Sequence, residues 1–296
     1  MSVIEIKNLT RDYKKGKGVF DISFDVEEGE VFGFLGPNGA GKTTTIRHLM
    51  GFIRPQNGSC KIKGLDCWHD RARIQQNLGY VPGEMSFFDD MTGIDFLNFS
   101  AKYRGVKANG RMLELIDRFE LDPKGKLKKM SKGMKQKVGI VAAFMHDPDV
   151  LILDEPTSGL DPLMQSRFIE MIIEEKKRGK TILMSSHMFE EVERTCHRVS
   201  IIRNGHLVAV DAVDKLKAKR VKTYVITLDS EEAAEAFAKE NITVTSVFQN
   251  NVTVAVQSNI KDLIALMNKY PVSNISAPNQ SLEEIFMQYY GGEKNA

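Results

Sequence analysis

The run Gly36-Pro37-Asn38-Gly39-Ala40-Gly41-Lys42-Thr43-Thr44 constrains this chain more than any other stretch. It follows a short apolar segment, Val31-Phe32-Gly33-Phe34-Leu35, and it opens a helical pattern with Ile46, Leu49 and Met50 on one side. Strand, glycine-rich loop and helix in that order make a cradle for phosphate. Glycines let backbone N–H groups curl inward around an anion with no Cβ in the way. The helix that starts near Lys42 points its positive dipole end at the same place. Lys42 brings a point charge for the β- and γ-phosphates of a nucleotide. Thr43 brings a hydroxyl for Mg2+, a cation that takes oxygen ligands in tight octahedral geometry. Gly36, Asn38, Gly39, Gly41, Lys42, Thr43 and Thr44 are therefore candidate nucleotide-binding residues, with Thr43 also a candidate metal ligand.

Two carboxylates complete that chemistry. Val150-Leu151-Ile152-Leu153 is a continuous apolar run ending in Asp154-Glu155. A strand buried on both faces that stops at two acids is a natural companion of a phosphate loop. Asp154 is placed to hold the metal ion, directly or through water. Glu155 is placed to orient or deprotonate a water that attacks the γ-phosphate. A further buried strand, Thr181 to Met184, ends at Ser185-Ser186-His187, which makes His187 a candidate γ-phosphate sensor. Asp161 and Pro162 read as N-cap and first residue of a helix. Ser131 and Gly133 precede the apolar helix Val138 to Met145, where, taken alone, ordinary N-capping is the better explanation. Tyr13 is either a packing residue or a face on which a base can stack.

With 296 residues, the chain has room for one large domain and a smaller one. Its 42% hydrophobic and 27% charged residues are those of a globular protein. A net charge of +2 argues against a generic nucleic-acid or membrane-surface binder. Lysines do crowd Lys124 to Lys137, either as a solvated face or as an attractor of phosphate. Cys60, Cys67 and Cys196 have no metal spacing, so incidental thiols in a reducing compartment are expected. No signal peptide is visible at the N-terminus. No apolar run nears the roughly 18–20 residues that cross a bilayer.

The remaining pattern supplies the frame. Ile4 and Ile6, then Phe20, Ile22, Phe24 and Val26, alternate as half-buried antiparallel strands around Gly16-Lys17-Gly18. Phe96, Phe99 and Tyr103, then Leu113, Ile116 and Phe119, stand at helical spacing and predict an inserted helical subdomain. Asn204-Gly205 predicts a hairpin turn. Near Lys215–Lys222 the character changes at a basic, hinge-like stretch. Beyond it come a strand (Tyr224, Ile226, Leu228), a helix (Glu231 to Lys239) and two strands joined across Asn250-Asn251. A helix with Leu263, Ile264 and Met267 inward and a strand from Val272 to Ile275 follow. A last helix is predicted from Ser281, with Glu284 at capping-box spacing. Strand-helix-strand-strand-helix-strand is the split-βαβ, ferredoxin-like order, and it carries no evident catalytic cluster.

With these residues in hand, the chain from Met1 to about Leu216 resembles the ATP-binding subunit of an ABC transporter. The resemblance implies an α/β, P-loop NTPase cassette: a RecA-like core, an antiparallel β subdomain and an inserted helical subdomain. The domains expected are 1–218, with the insertion about 86–140, and an α+β accessory domain at 219–296. It implies that Tyr13 stacks on adenine and that Gly36 to Thr44 are the Walker A loop. Asp154 and Glu155 end Walker B, Asp161 belongs to the D-loop and His187 is the switch histidine. Met130 to Met134 stands where the signature usually reads Leu-Ser-Gly-Gly-Gln. Ser131 and Gly133 match it, while Met130, Lys132 and Met134 depart. That form, and the tail Ser281-Leu282-Glu283-Glu284-Ile285-Phe286, resemble a subgroup of drug, antibiotic and lantibiotic exporters. The family's Q-loop glutamine falls at Gly83, so either Glu84 substitutes or water completes the metal shell.

The resemblance further implies ATP and Mg2+ as cofactors and a transmembrane permease as partner. A second ATP-binding subunit, identical or not, would place Ser131 and Gly133 on the ATP of its neighbour. The chain would sit at the cytoplasmic face of the membrane through its permease, with no nucleic-acid partner. A non-transport ABC ATPase acting on ribosomes or nucleic acid is the rival, but such chains tend to carry two cassettes, long coiled coils or zinc-spaced cysteines. An interaction module without ATPase activity is the third reading, and Lys42, Asp154, Glu155 and His187 argue against it.

Overall fold

The structure is a computed structural model, described here for residues 1–88, 90–106, 110–218, 222–256 and 260–277. It divides into two compact units, Met1–Val213 and Asp214–Ala296.

The first unit opens with β1 (Ser2–Asp12), β2 (Gly18–Glu27), β3 (Val31–Leu35), α1 (Lys42–Leu49), β4 (Asn57–Ile62), β5 (Leu65–Asp66), α2 (Arg71–Gln76) and β6 (Leu78–Val81). Two helices of the predicted insertion follow, α3 (Gly93–Tyr103) and α4 (Gly110–Arg118), then α5 (Lys132–Phe144). The unit closes with β7 (Val150–Asp154), α6 (Pro162–Lys177), β8 (Thr181–Ser186), α7 (Phe189–Thr195), β9 (Arg198–Arg203) and β10 (His206–Ala212). A short helix, α8 (Val213–Ala218), comes next.

Two sheets result. One is antiparallel with strand order β2-β1-β4-β5; the other has the order β10-β9-β3-β8-β7-β6. In the second, β9, β3, β8, β7 and β6 are parallel and β10 turns back antiparallel on β9. The strands β3, β7 and β8 are buried along their whole length. The apolar runs that make up most of them, such as Val150–Leu153 and Ile182–Met184, are what a parallel strand covered on both faces requires. One core joins both sheets to α1, drawing together Ile4, Ile6, Phe24, Phe32, Ile46, Leu49, Ile152 and Leu183. Phe24 of the antiparallel sheet stacks on Phe32 of β3 with ring centroids 5.1 Å apart. The core thus fixes the phosphate-loop helix between the sheets.

The helical stripes differ in register from the sequence expectation. In α3 the buried residues are Gly93, Leu97 and Ala101, whereas Phe99 and Tyr103 are exposed. In α4 they are Met112 and Leu115, and Leu113 is 62% exposed. Large aromatic and aliphatic residues at helical spacing looked like the inner face. Here the smaller Leu97 and Ala101 point inward, and α3 packs against α5. The first-sheet turn also differs slightly: Tyr13 N–H bonds the Lys17 carbonyl, and Gly18 already belongs to β2.

Arg104, the C-cap of α3, donates to the carbonyls of Gln75, Gln76 and Leu78 and to Nε2 of His146 at 3.0–3.3 Å. Glu175 of α6 is buried and receives Arg111 of α4 at 2.5 Å and Arg178 at 2.9 Å. These two clusters tie the inserted helices to the α/β layer by charge as well as packing.

The second unit contains β11 (Lys222–Leu228), α9 (Glu231–Ala238), β12 (Thr243–Phe248), β13 (Asn251–Val256), α10 (Ile260–Met267) and β14 (Val272–Ser276). Its sheet is antiparallel with order β12-β13-β11-β14, the split-βαβ arrangement. Ile226, Leu228, Val252 and Val254 pack with Phe237, Leu263 and Leu266 in a separate core. Ile264 is 49% exposed, so Leu266 takes the inward place expected for it. The turn before β13 is made by Gln249 and Asn250, with Gln249 in the left-handed region and Asn251 already in the strand. Ser281, Glu284 and the helix predicted there lie outside the described residues.

Candidate functional site

The site forms at the carboxyl ends of β3, β7 and β8, beside the point where the strand order reverses around β3. An open parallel sheet leaves a crevice at such a place. The loop after β3 turns through Gly39 (φ 79°) and Gly41 (φ 115°), backbone angles that a Cβ disfavours. Gly41 is the N-cap of α1, so the first N–H groups of the helix face the crevice without a side-chain cap.

Lys42 is 5% exposed. Its Nζ donates to the carbonyls of Gly36 at 2.5 Å and Pro37 at 3.2 Å, and it stands 3.0 Å from Oε1 of Glu155. The contact with Glu155 is an ion pair by distance, and Glu155 Oε1 is buried without a hydrogen bond of good geometry. An incoming phosphate therefore competes with Glu155 for this ammonium group.

Asp154 ends β7 with no solvent exposure. Its Oδ1 accepts from Ser185 Oγ at 2.5 Å, and Thr43 lines the same cavity as this carboxylate. Its Oδ2 is buried with no partner. Burial pushes the carboxyl up from its ordinary value, against the pull of the Ser185 and Thr43 hydroxyls. A buried oxygen with no donor beside a threonine hydroxyl is a pair of hard ligands that suits Mg2+. Gly83 lies directly over it: a Cβ there would stand 3.0 Å from Oδ2. The glycine at the expected glutamine position leaves open space next to the orphaned oxygen. Glu84 is exposed and lines the same cavity.

Glu155 is in the left-handed region with φ 48°. For a residue other than glycine this costs roughly 1–3 kcal/mol, a strain that clusters at working sites. The twist turns its side chain from the strand toward Lys42 and His187. Its N–H donates to Ser185 Oγ at 3.0 Å, and its Oε2 lies 2.5 Å from Nδ1 of His187. Because an ionised carboxylate only accepts, Nδ1 is the protonated nitrogen of that ring. His187 is 47% exposed while Glu155 is 17% exposed, so the pair faces the crevice.

A cavity of about 570 Å3 runs along the loop and is lined by Tyr13, Asn38, Gly39, Gly41, Lys42, Thr43, Thr44 and Glu155. Tyr13 stands at its far end, 46% exposed, with the Arg11 guanidinium 5.3 Å from its ring. A second cavity of about 310 Å3 adjoins it at Asn38, Thr43 and Glu155 and reaches Arg47, Asp154 and His187. Gly36 lies beneath, accepting from Lys42. Ser131, Gly133 and Asp161 line neither cavity. Ser131 caps α5 by accepting from Met134 N–H at 3.2 Å, and Asp161 caps α6 by accepting from Met164 N–H at 3.0 Å. Gly133 lies against the Gly159 carbonyl.

Sequence reading passed over several neighbours. Ser185 supports both acids, Asn204 and Gly205 line the larger cavity, and Gln136 donates to the Pro156 carbonyl at 2.7 Å. Ser185 was visible only as a polar residue at the end of an apolar strand. Asn204-Gly205 was legible as a turn, but its place beside the loop depends on β10 folding back along β9.

The ABC transporter family profile matches residues 19–158. The chain is 32% identical to the bacitracin transport ATP-binding protein BcrA of Bacillus licheniformis, over 98% of each chain. It is 34% identical to the linearmycin resistance ATP-binding protein LnrL of Bacillus subtilis (strain 168), over 79% of this chain and 77% of that protein. A solved ATP-binding subunit of an ABC transporter superposes with a TM-score of 0.68 at 32% identity, covering 73% of this chain and 92% of its own. The cassette MJ0796, solved as a dimer in a post-hydrolysis state with ADP and Pi, superposes with a TM-score of 0.65 at 20% identity. It covers 71% of this chain and 98% of its own, and at that identity it speaks to the fold.

Proposed function

This chain belongs to the ATP-binding proteins of ABC transporters, ATPases that power transport, and from that premise we propose how its site works and what it serves. The observation that carries the reading is the juxtaposition of Lys42, Glu155 and His187 at the ends of three adjacent strands, with Thr43 and Asp154 beside them. The phosphate loop and Lys42 bind the phosphates of ATP, and Tyr13 stacks on the base. Thr43 and Asp154 hold Mg2+, which neutralises charge on the phosphates when bound. As phosphate oxygens draw Lys42 away, Glu155 is freed to accept a proton from water. His187 holds the carboxylate by its Nδ1 bond and keeps Nε2 free toward the crevice.

Ser131, Gly133 and Asp161 act across a dimer. None of the three lines the two cavities along the phosphate loop, which fits a role on the ATP of a facing subunit, with the start of α5 directed at the phosphate. ATP that binds the closed pair better than the open one shifts the population toward closure, and hydrolysis releases it. The partner is a transmembrane permease, which holds the chain at the cytoplasmic face of the membrane. Among the described residues no helix is long and apolar enough to cross a bilayer. The names of the two antibiotic-linked relatives favour export of an antibiotic-like compound.

The test is purification of the tagged chain from gently solubilised native membranes, with mass spectrometry of its companions. A stoichiometric polytopic membrane protein is the expected result. Ribosomal or nucleic-acid-processing proteins in its place would overturn the transport assignment.

A further inference from the structure

Glu191, on α7, is a carboxylate that the mechanism above does not use. It is 3% exposed, and the groups around it are also buried: Thr157, Ser186 and Thr195 are each 5% exposed or less. Its Oε1 accepts from the Thr157 hydroxyl, and its Oε2 accepts from Ser186 Oγ at 2.7 Å. Ser186 Oγ in turn accepts from Met188 N–H at 2.9 Å, and Thr195 Oγ1 donates to the Glu191 carbonyl at 2.6 Å. Thr157 directs its one proton at the carboxylate, and the Ser186 hydroxyl has Glu191 Oε2 as its nearer acceptor, with the Met188 carbonyl at 3.3 Å.

The two oxygens of Glu191 thus hold two different segments. Thr157 belongs to the turn after β7, which begins at the strained Glu155 and is closed by Ser158 N–H on the Glu155 carbonyl at 3.0 Å. Ser186 is the last residue of β8, next to His187, and its carbonyl accepts from Gly36 N–H of the phosphate loop at 3.3 Å. Glu155 and His187 must come within one hydrogen bond of each other, yet they are carried on separate strands. Both residues lie past the last paired positions, Asp154 and Ser186, and Ser185 Oγ, accepting from Glu155 N–H at 3.0 Å, ties only the backbone of Glu155 to β8. Glu191 bridges the two segments one layer below the reacting groups.

We propose that Glu191 is a positioning residue that sets the Glu155–His187 geometry, by tying the turn after β7 and the end of β8 to a single side chain on α7. The inference rests on the roles given above to Glu155 and His187. Burial raises the Glu191 carboxyl above its ordinary value, and the two hydroxyl donors oppose that rise.

The test compares Glu191→Gln, Glu191→Ala, Thr157→Val and the double variant Thr157→Val/Glu191→Ala in the full chain. The readouts are kcat, KM for ATP, ATP affinity and thermal midpoint, with Glu155→Gln and the unaltered chain alongside. We expect Glu191→Ala to lower kcat about tenfold or more while ATP affinity stays within about twofold. Glu191→Gln, which keeps the shape and one acceptor, should retain more turnover. The double variant should be no slower than Glu191→Ala, because both changes cut one network. Unchanged kcat in Glu191→Ala, or additive losses in the double variant, would overturn the proposal. So would a parallel fall of ATP affinity, thermal midpoint and kcat, which marks a residue that only supports the fold. If Glu155→Gln itself turns over ATP at the normal rate, the fault lies in the site reading beneath it and not in Glu191 alone.

Discussion

Lys42 and Glu155 hold each other at 3.0 Å, and the two residues fail in different ways when changed. Lys42→Ala removes charge-assisted bonds to phosphate worth roughly 3 kcal/mol, so ATP affinity should fall on the order of 100-fold. Isothermal titration with a slowly hydrolysed ATP analogue measures this, and unchanged affinity would contradict the phosphate-loop assignment. Glu155→Gln keeps the shape but cannot take a proton, so ATP binding should persist while turnover drops by about 100-fold or more. A coupled phosphate-release assay reads the loss, and near-normal hydrolysis would exclude Glu155 as the main catalytic carboxylate. These residues were legible in sequence because their neighbours in the chain announce them: glycines before Lys42, an apolar run before Asp154-Glu155. Glu191 was not, since its partners lie 34 and 5 residues away and nothing local marks it as bridging them.

At the scale of elements, the tie between α3 and the α/β layer carries a pH dependence. His146 is pulled down to about 4 by burial first and by the Arg104 guanidinium second, from an ordinary value of 6.5. The folded chain therefore keeps the ring neutral, accepting from Arg104, where the unfolded chain takes up a proton. This contribution is fully present above pH 6.5 and drains away as pH falls toward about 4. A tenfold difference in proton affinity between folded and unfolded chain is worth about 1.4 kcal/mol, and discounting for a partly solvated ring leaves about 2 kcal/mol in all. Denaturant unfolding at pH 7, 6 and 5 should show the decline, and His146→Gln, which cannot titrate, should show a shallower one. Parallel slopes would remove His146 from the account. The elements themselves were legible from period and punctuation. Their inward faces were less so: the apolar stripe of Phe99 and Tyr103 is exposed, and Leu97 and Ala101 are buried instead, a choice made by tertiary packing.

At the scale of the whole molecule, the proposed dimer is what is tested. With ATP and Mg2+, the Glu155→Gln chain should sediment as a dimer, and without nucleotide as a monomer. Ser131→Arg in the same background should prevent that dimer while leaving ATP affinity within about twofold. Dimerisation of the Ser131→Arg chain would place the contact elsewhere. The phosphate loop, the two acids and the strand-end histidine were legible in the sequence because each depends on short-range chemistry: a backbone that must turn, a strand that must be covered, a helix that must be capped. The fold class came with the family resemblance those motifs carry. The approach of Glu155 to His187, the orphaned oxygen of Asp154 over Gly83 and the Glu191 bridge were decided only by tertiary structure. They arise where separate strands end side by side in a sheet, and the order of strands in a sheet is set by the packing of the whole core rather than by any one segment.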